Sequence, residues 1–271
     1  MLDKRSKALR KEMLKMLLAG KRGHLASALS LVEIFRVLYD DILTFNPKEP
    51  KWPGRDRCIL SKGHGCMALY AILADKGYFP RQELKKFCTM DSLFGGHPEI
   101  FIPGVEASTG SLGHGLSIGL GQALASRMDG RKPKVFVIVG DGEINEGSVW
   151  EAALSASKHK VEELTVIIDY NKQQSYSSTD EICPLEPLAD KWRAFGFGVA
   201  DCDGHDVGAL KEKLTGVPFE PGRPSVLICH TVKGKGIDTV EGNLKYHHVN
   251  NFTDNQYQQL VNLLEGGAEI A

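Results

Sequence analysis

The stretch VFVIVGDG, residues 135–142, is an apolar run that ends in a Gly-Asp-Gly turn. A stretch with helical character follows, and a second apolar run, LTVIID at residues 164–169, then leads into Tyr170 and Asn171. Two apolar strands joined by a helix are typical of parallel strands with a crossover connection. The pattern predicts an α/β fold, a mostly parallel twisted sheet with helices on both faces. In such a sheet, Asp141 and Asn171 follow neighbouring strand ends at one edge.

The residues at this predicted edge suit a metal ion that holds a diphosphate. Gly140 and Gly142 have no side chains, so the backbone can turn sharply and come close to a phosphate group. The next helix presents its free N–H groups at the same place. Asp141 would repel a bare diphosphate, but a divalent cation between the two removes this conflict, and Asn171 adds a neutral oxygen ligand. We therefore expect Mg²⁺ or Ca²⁺ here.

A dinucleotide-binding turn is the alternative, because it also follows a strand and is rich in glycine. That motif has a small residue at its sixth position, where this chain has Asn145. Asp141 and Glu143 would also stand where a pyrophosphate sits without a metal. Asp169, at the end of the second apolar run, could still act as a ribose-binding acid, so the alternative stays open.

The composition is that of an ordinary soluble protein. The chain has 271 residues, of which 42% are hydrophobic and 25% are charged, and its formal net charge is -1. This balance gives no general attraction to nucleic acids or anionic membranes. We see neither an apolar run of membrane-spanning length nor an apolar signal core. The six cysteines form no Cys-x-x-Cys pair and are expected to be reduced, in a cytoplasmic protein.

Local patterns predict further elements. Residues 3–19 carry an apolar helical stripe, residues 57–60 a short buried strand and residues 224–230 a late strand. Ser30 and Glu33 have the spacing of a capping box ahead of an apolar helix face.

Several of the nine histidines directly follow a glycine: His24, His64, His97, His114 and His205. A glycine before a histidine is typical of a side chain presented from a tight turn. For any one of them a structural role is as reasonable as a functional one. Together they predict that several act in one site, because histidine changes its charge near neutral pH.

Several short motifs of this sequence, taken together, resemble those of the transketolase family of thiamine diphosphate enzymes. Gly140-Asp141-Gly142 and, after 28 intervening residues, Asn171 look like the thiamine diphosphate signature. Companion phrases occur in the family's order, between about residue 5 and about residue 250: GH (23–24), SKGHG (61–65), GHPE (96–99), PGVE (103–106) and TGSLGHG (109–115).

The resemblance implies that residues 1–271 form one transketolase N-terminal, diphosphate-binding (PP-type) domain. A complete transketolase also carries a pyrimidine-binding and a C-terminal domain, which this sequence does not offer. We therefore expect the N-terminal subunit of a split enzyme, active only with a C-terminal subunit that supplies the pyrimidine-binding domain and the activating glutamate, in a heterotetramer. Such an enzyme moves a two-carbon ketol unit from a ketose (phosphate) donor to an aldose acceptor, with no nucleic acid or membrane partner.

The resemblance also implies roles for individual residues. The expected metal ligands are Asp141, Asn171 and the backbone carbonyl of Gln173. The expected cofactor contacts are His64, Leu112, Gly113, Gly140, Asp141, Gly142, Glu143, Asn171 and His247. The expected catalytic residues are His24, His64, His97, His247 and Glu146, the last at a subunit contact. KGKG (233–236) followed by NLKYH (243–247) resembles a family phrase that ends in Trp-His-Gly, and spacing within it favours His247 over its neighbour His248. His205 is expected to be structural.

One segment departs from the family pattern. After Asn171 the family has Arg or Lys, then apolar residues, then Asp-Gly, whereas this chain reads KQQSYS at residues 172–177 and departs from the pattern after Lys172. A backbone ligand at Gln173 tolerates the change, but contacts to the cofactor's thiazolium ring would differ.

The sequence leaves two other functions open. One keeps the cofactor and changes the reaction, to that of a 1-deoxyxylulose-5-phosphate synthase relative or a 2-oxo acid dehydrogenase subunit. The Gly-His series favours sugars over pyruvate and places this second. The other is a nucleotide-binding or regulatory subunit without catalysis, which NAD binding independent of metal would reveal.

Overall fold

The computed structural model describes residues 2–267. Its strands are β1 (Arg22–Gly23), β2 (Arg57–Leu60), β3 (Val135–Gly140), β4 (Leu164–Tyr170), β5 (Gly198–Asp203), β6 (Ser225–His230) and β7 (Val249–Asn250). Its helices are α1 (Lys4–Gly20), α2 (Leu25–Leu29), α3 (Val32–Val37), α4 (Cys66–Asp75), α5 (Gly115–Met128), α6 (Gly147–Lys158), α7 (Thr179–Ile182), α8 (Leu188–Ala194), α9 (Val207–Thr215) and α10 (Asp254–Glu265). None of these helices is long and apolar enough to cross a membrane.

The main sheet has the strand order β2-β3-β4-β6-β5, and its strands are all parallel. Every residue of β3 and β4 is buried, as expected for central strands covered on both faces. Gly140 pairs with Asp169 and Leu60 with Ile138, so β2, β3 and β4 end at one edge. The sheet confirms the predicted α/β class.

Helices cover both faces of this sheet. Alternate side chains of β3 point to opposite sides: Phe136 and Ile138 belong to a core that includes residues of α1 to α4, α9 and α10. Val137 and Val139 belong to a second core with residues of α5, α6 and α8. Helix α5 packs very close to the sheet at Gly119. A Cβ atom at this position would lie only 2.4 Å from Cγ2 of Val137.

The predicted capping box at Ser30 is wrong. Ser30 lies between α2 and α3, and its hydroxyl donates to the carboxylate of Asp169 at 2.7 Å. Glu33 is buried and pairs with the guanidinium of Arg10. Both residues therefore join tertiary networks instead of satisfying a helix end.

A second, two-stranded sheet joins the two ends of the chain. Strands β1 and β7 are antiparallel, with Arg22 opposite Asn250 and Gly23 opposite Val249. His24 directly follows β1, and His247 and His248 directly precede β7. The pairing thus brings histidines from distant parts of the sequence together.

Candidate active site

A cleft of about 240 Å³ lies at the edge where β2, β3 and β4 end. It is lined by His24, Ser27, Lys62, His64, His97, Gly110, Leu112, Gly140, Asp141, Gly142, Glu143, Asn171, Gln173, Gln174, Ser175, Lys233, His247 and His248. A larger groove of about 780 Å³ lies elsewhere, beside Arg57 at the start of β2, and contains none of the predicted site residues. The smaller cleft is the candidate site because the predicted residues meet there.

Asp141 is buried at the end of β3. The N–H groups of Gly142 and Lys172 donate to its two oxygens at 2.7 Å and 2.5 Å. Burial, reinforced by the charge of Asp169, raises the pKa of Asp141 to about 7. A divalent cation beside this carboxylate would offset the cost of ionising it, as the sequence prediction requires.

Asp169, the possible ribose ligand, is turned into the protein. It is fully buried and forms an ion pair with Lys62. The hydroxyls of Ser30 and Thr231 also donate to it. Burial raises the pKa of Asp169, but the Lys62 ammonium and the hydroxyls of Thr231 and Ser30 together outweigh it and hold the pKa below its usual value. Because its oxygens are engaged, Asp169 is not available to a ribose. The dinucleotide-binding alternative therefore lacks the ribose-binding acid that it requires.

The other predicted metal ligands lie on the turn after β4. The Asn171 amide nitrogen donates to Asp169 at 3.3 Å, and its amide oxygen accepts from the backbone N–H of Gln173 at 3.1 Å. The ammonium of Lys233 donates to the backbone carbonyls of Gln173 at 3.3 Å and of Gln174 at 2.9 Å. Hydrogen bonds within the turn and from Lys233 therefore hold it in place. The Gln173 carbonyl already faces the positive charge of Lys233.

Sequence reasoning missed Lys62 and Lys233 as parts of the site. Both are buried and line the cleft. Burial, together with the charge of Lys62, lowers the pKa of Lys233 to about 8. Their positions inside the SKGHG and KGKG phrases were the available signal. Because Lys62 is paired with Asp169, the Lys233 ammonium supplies the positive charge that suits a diphosphate.

Glu143 holds the glycine-rich segments in place. One of its carboxylate oxygens accepts from the N–H of Gly113 at 2.9 Å and from the Ser61 hydroxyl, and the other accepts from the N–H of Gly140 at 3.0 Å. Burial raises its pKa. Leu112 lines the cleft, and Gly113, with a φ of 84°, leaves no room for a Cβ beside Glu146.

Five histidines form a cluster on the other side of the cleft. His24 stands at its centre, with ring-centroid distances of 5.4 Å to His64, 6.0 Å to His97, 5.6 Å to His247 and 4.6 Å to His248. Burial lowers the pKa of His24 to about 4 and also lowers the pKa values of His64 and His97. These three rings are therefore neutral at neutral pH, and each offers one donor and one acceptor.

His247 and His248 both line the cleft, so motif spacing, which favoured one of them, did not identify both residues. His247 is buried, and its Nδ1 lies 3.2 Å from the Ser27 hydroxyl while its Nε2 lies 2.8 Å from the Ser175 hydroxyl. Burial, then the charge of Lys233, lowers the pKa of His247 to about 3. His248 is exposed and contacts the rings of His24 and His247.

The remaining predicted residues lie outside the cleft. Glu146 is exposed and occupies the N-cap position of α6. His114 is exposed and contacts Ser111 and the Leu112 carbonyl. His205 is within hydrogen-bond distance of Glu33 at 3.0 Å, and its Nε2 accepts from a backbone N–H at 2.9 Å, in keeping with a structural role.

The donor set fits thiamine diphosphate held through a hard metal ion. Among residues 2–267, no three or more His, Cys, Asp or Glu side chains are grouped as metal ligands. The expected set instead combines one carboxylate, one amide oxygen and one backbone carbonyl, which suits Mg²⁺ or Ca²⁺ rather than a transition metal. The Asp141 carboxylate, whose charge is partly compensated, suits a bound cation. The Lys233 ammonium suits an anion bound next to that cation.

Comparisons with known proteins agree with this geometry. The family model described as "Transketolase, thiamine diphosphate binding domain" matches residues 3–260. An apulose-4-phosphate transketolase subunit of Phocaeicola vulgatus is 38% identical over 260 residues, which cover 96% of this chain and 92% of that protein. The 6-deoxy-6-sulfo-D-fructose transketolase subunit of a Clostridium species is 41% identical over 244 residues, covering 90% and 88%.

Solved structures give the same result for the fold. Transketolase from Campylobacter jejuni superposes with a TM-score of 0.89 at 28% identity, over 97% of this chain and 42% of that one. Pichia stipitis transketolase in complex with sedoheptulose 7-phosphate superposes with a TM-score of 0.86 at 26% identity, over 97% and 44%. This chain thus spans less than half of these two solved transketolase chains.

Proposed function

Since this chain belongs to the family of transketolase thiamine diphosphate binding domains, we propose that it is the diphosphate-binding subunit of a two-chain transketolase. The relatives named as transketolase subunits match this chain over about nine-tenths of their own length, which supports a divided enzyme. The partner would be a C-terminal subunit with the pyrimidine-binding domain and the activating glutamate, in a cytoplasmic heterotetramer.

One observation carries the proposal: the cleft combines the predicted metal ligands on one side with a histidine cluster on the other. Asp141, Asn171 and the Gln173 carbonyl would hold Mg²⁺ or Ca²⁺, and the Lys233 ammonium would offset part of the charge of the diphosphate. Thiamine diphosphate, when bound, supplies the nucleophilic carbon that takes up a two-carbon ketol unit from a ketose or ketose phosphate.

The histidines would handle the sugar hydroxyls. Because burial keeps His24, His64 and His97 neutral, each can donate a hydrogen bond from one ring nitrogen and accept a proton at the other. His247 keeps one ring orientation because serine hydroxyls lie at both of its nitrogens. Glu146, which is exposed, would serve at the subunit contact instead of touching the substrate.

The test has two parts. The purified chain should bind thiamine diphosphate with Mg²⁺, and a chelator should abolish this binding, whereas NAD should not bind. The chain alone should have no ketol-transfer activity, and adding the co-purified native partner should give transfer from a ketose phosphate to an aldose.

Three results would contradict the proposal. Metal-independent NAD binding would favour a nucleotide-binding subunit. Robust ketol transfer by this chain alone would exclude a divided active site. Turnover of pyruvate instead of ketoses would indicate the 1-deoxyxylulose-5-phosphate synthase or 2-oxo acid dehydrogenase reaction.

A further inference from the structure

Gln174 lies against the Gly-Asp-Gly turn. A Cβ atom placed on Gly142 would lie 2.9 Å from Cγ and 3.0 Å from Cδ of the Gln174 side chain. The Gln174 backbone is fixed as well: its N–H donates to the Ser177 carbonyl at 2.9 Å, and its own carbonyl accepts from Lys233 at 2.9 Å. The side chain thus lies in the lining of the cleft, next to the turn.

The amide of Gln174 has an unused donor. Its Nε2 atom is buried and has no hydrogen-bond partner within the described residues 2–267. In contrast, the side-chain nitrogen of the adjacent Gln173 donates to the Gly242 carbonyl at 3.2 Å. A buried N–H group without an acceptor is costly, so such a group in a cleft indicates a missing acceptor.

The surroundings favour an anionic oxygen as that acceptor. Lys233 lines the same cleft, and its ammonium donates to two backbone carbonyls instead of a carboxylate, so its charge attracts an anion. The Asp141 carboxylate, which belongs to the turn itself, already accepts from two backbone N–H groups. An apolar side chain at position 174, as the family pattern has in this segment, would offer no donor.

We propose that the Gln174 side-chain amide donates a hydrogen bond to an oxygen of the cofactor's diphosphate. This inference rests on the proposed function and extends it, since it assigns a diphosphate contact to the segment in which this chain departs from the family pattern. A hydrogen bond to a charged group contributes enough to change affinity by roughly tenfold to a hundredfold.

The test measures binding and not turnover. The full chain is titrated calorimetrically at saturating Mg²⁺ with thiamine diphosphate and, separately, with inorganic diphosphate, which has no thiazolium or pyrimidine ring. Gln174→Leu should weaken both ligands by a similar factor, about tenfold or more. Gln174→Met keeps the length of the side chain and should show the same loss, and the melting temperatures of both variants show whether the fold is intact.

Gln122→Leu is the matched control. Gln122 is also a half-buried glutamine with an unpaired buried amide atom, but it lies in α5 outside the cleft. Its variant should bind both ligands like the wild type.

The outcomes separate the two proposals. If the wild-type chain binds neither ligand with Mg²⁺, the proposed function fails and this inference fails with it. If the wild type binds and both Gln174 variants bind equally well, only this inference is overturned. A loss for thiamine diphosphate without a loss for inorganic diphosphate would also overturn it, because the amide would then contact a ring.

Discussion

Removing the Lys62 ammonium should destabilise the whole chain, because it leaves a buried carboxylate without its counter-ion. Lys62 is 2% exposed and Asp169 is not exposed at all. Breaking a buried ion pair by removing one partner costs about 3–5 kcal/mol. Asp169 keeps the hydrogen bonds from Ser30 and Thr231, so we expect Lys62→Met to lower the free energy of unfolding by about 3 kcal/mol, near the lower end of this range.

The assay is urea unfolding followed by circular dichroism, without ligand, on the wild type, Lys62→Met and a double variant. Asp169→Asn in the Lys62→Met background removes the uncompensated charge while keeping the shape. The double variant should therefore be more stable than Lys62→Met alone.

The loss should also depend on pH. Without Lys62, burial raises the pKa of Asp169, so folding would favour its protonated form. The loss should then be largest at neutral pH and shrink as the pH falls towards about 4. A loss below about 1 kcal/mol at neutral pH, or a double variant no more stable than the single one, would refute the reasoning.

Three further perturbations test the site and the sheet. Asp141→Ala should abolish Mg²⁺-dependent binding of thiamine diphosphate in calorimetry, and an unchanged affinity would reject Asp141 as a metal ligand. Burial lowers the pKa of His24 from 6.5 to about 4, so its contribution to stability is fully present above pH 6.5 and is lost progressively as the pH falls from there through about 4. The unfolding free energy of the wild type relative to His24→Gln should drop by about 2 kcal/mol between about pH 7 and about pH 4.5, and parallel curves would contradict this. In thermal unfolding, Gly119→Ala should lower the stability by about 1–3 kcal/mol, because its Cβ would lie 2.4 Å from Val137. Gly121→Ala, in open space on the same helix, should raise the stability by about 0.5–1 kcal/mol. Equal effects of the two substitutions would show that α5 does not pack as described.

The central strands were predictable because their signal is local. Strands β3 and β4 are continuous apolar runs, and a fully buried parallel strand needs that composition. The edge site followed from the residues that directly succeed these strands. Strand β5 was harder to place from its sequence, because this edge strand is half-exposed and its residues 198–203, GVADCD, lack an apolar run.

The partners of polar side chains were not predictable, because they depend on long-range packing. Ser30 has good capping-box spacing, yet its hydroxyl bonds Asp169, which lies 139 residues away in the sequence. Lys62 stands in a recognisable phrase, but its ion pair with Asp169 forms only when β2 and β4 lie in one sheet. Spacing also offered a choice between His247 and His248, whereas the fold brings both rings to the cleft.

The short pairing of β1 with β7 gives the two sides of the cleft different local stabilities. The diphosphate side is built on central strands whose opening requires disruption of the main sheet, while His24, His247 and His248 adjoin strands of only two residues each. Short strands with few hydrogen bonds open at low free energy. The amide of Val249 should therefore exchange its hydrogen much faster than that of Val137, and the segments that carry His24, His247 and His248 should open at lower free energy than the diphosphate side.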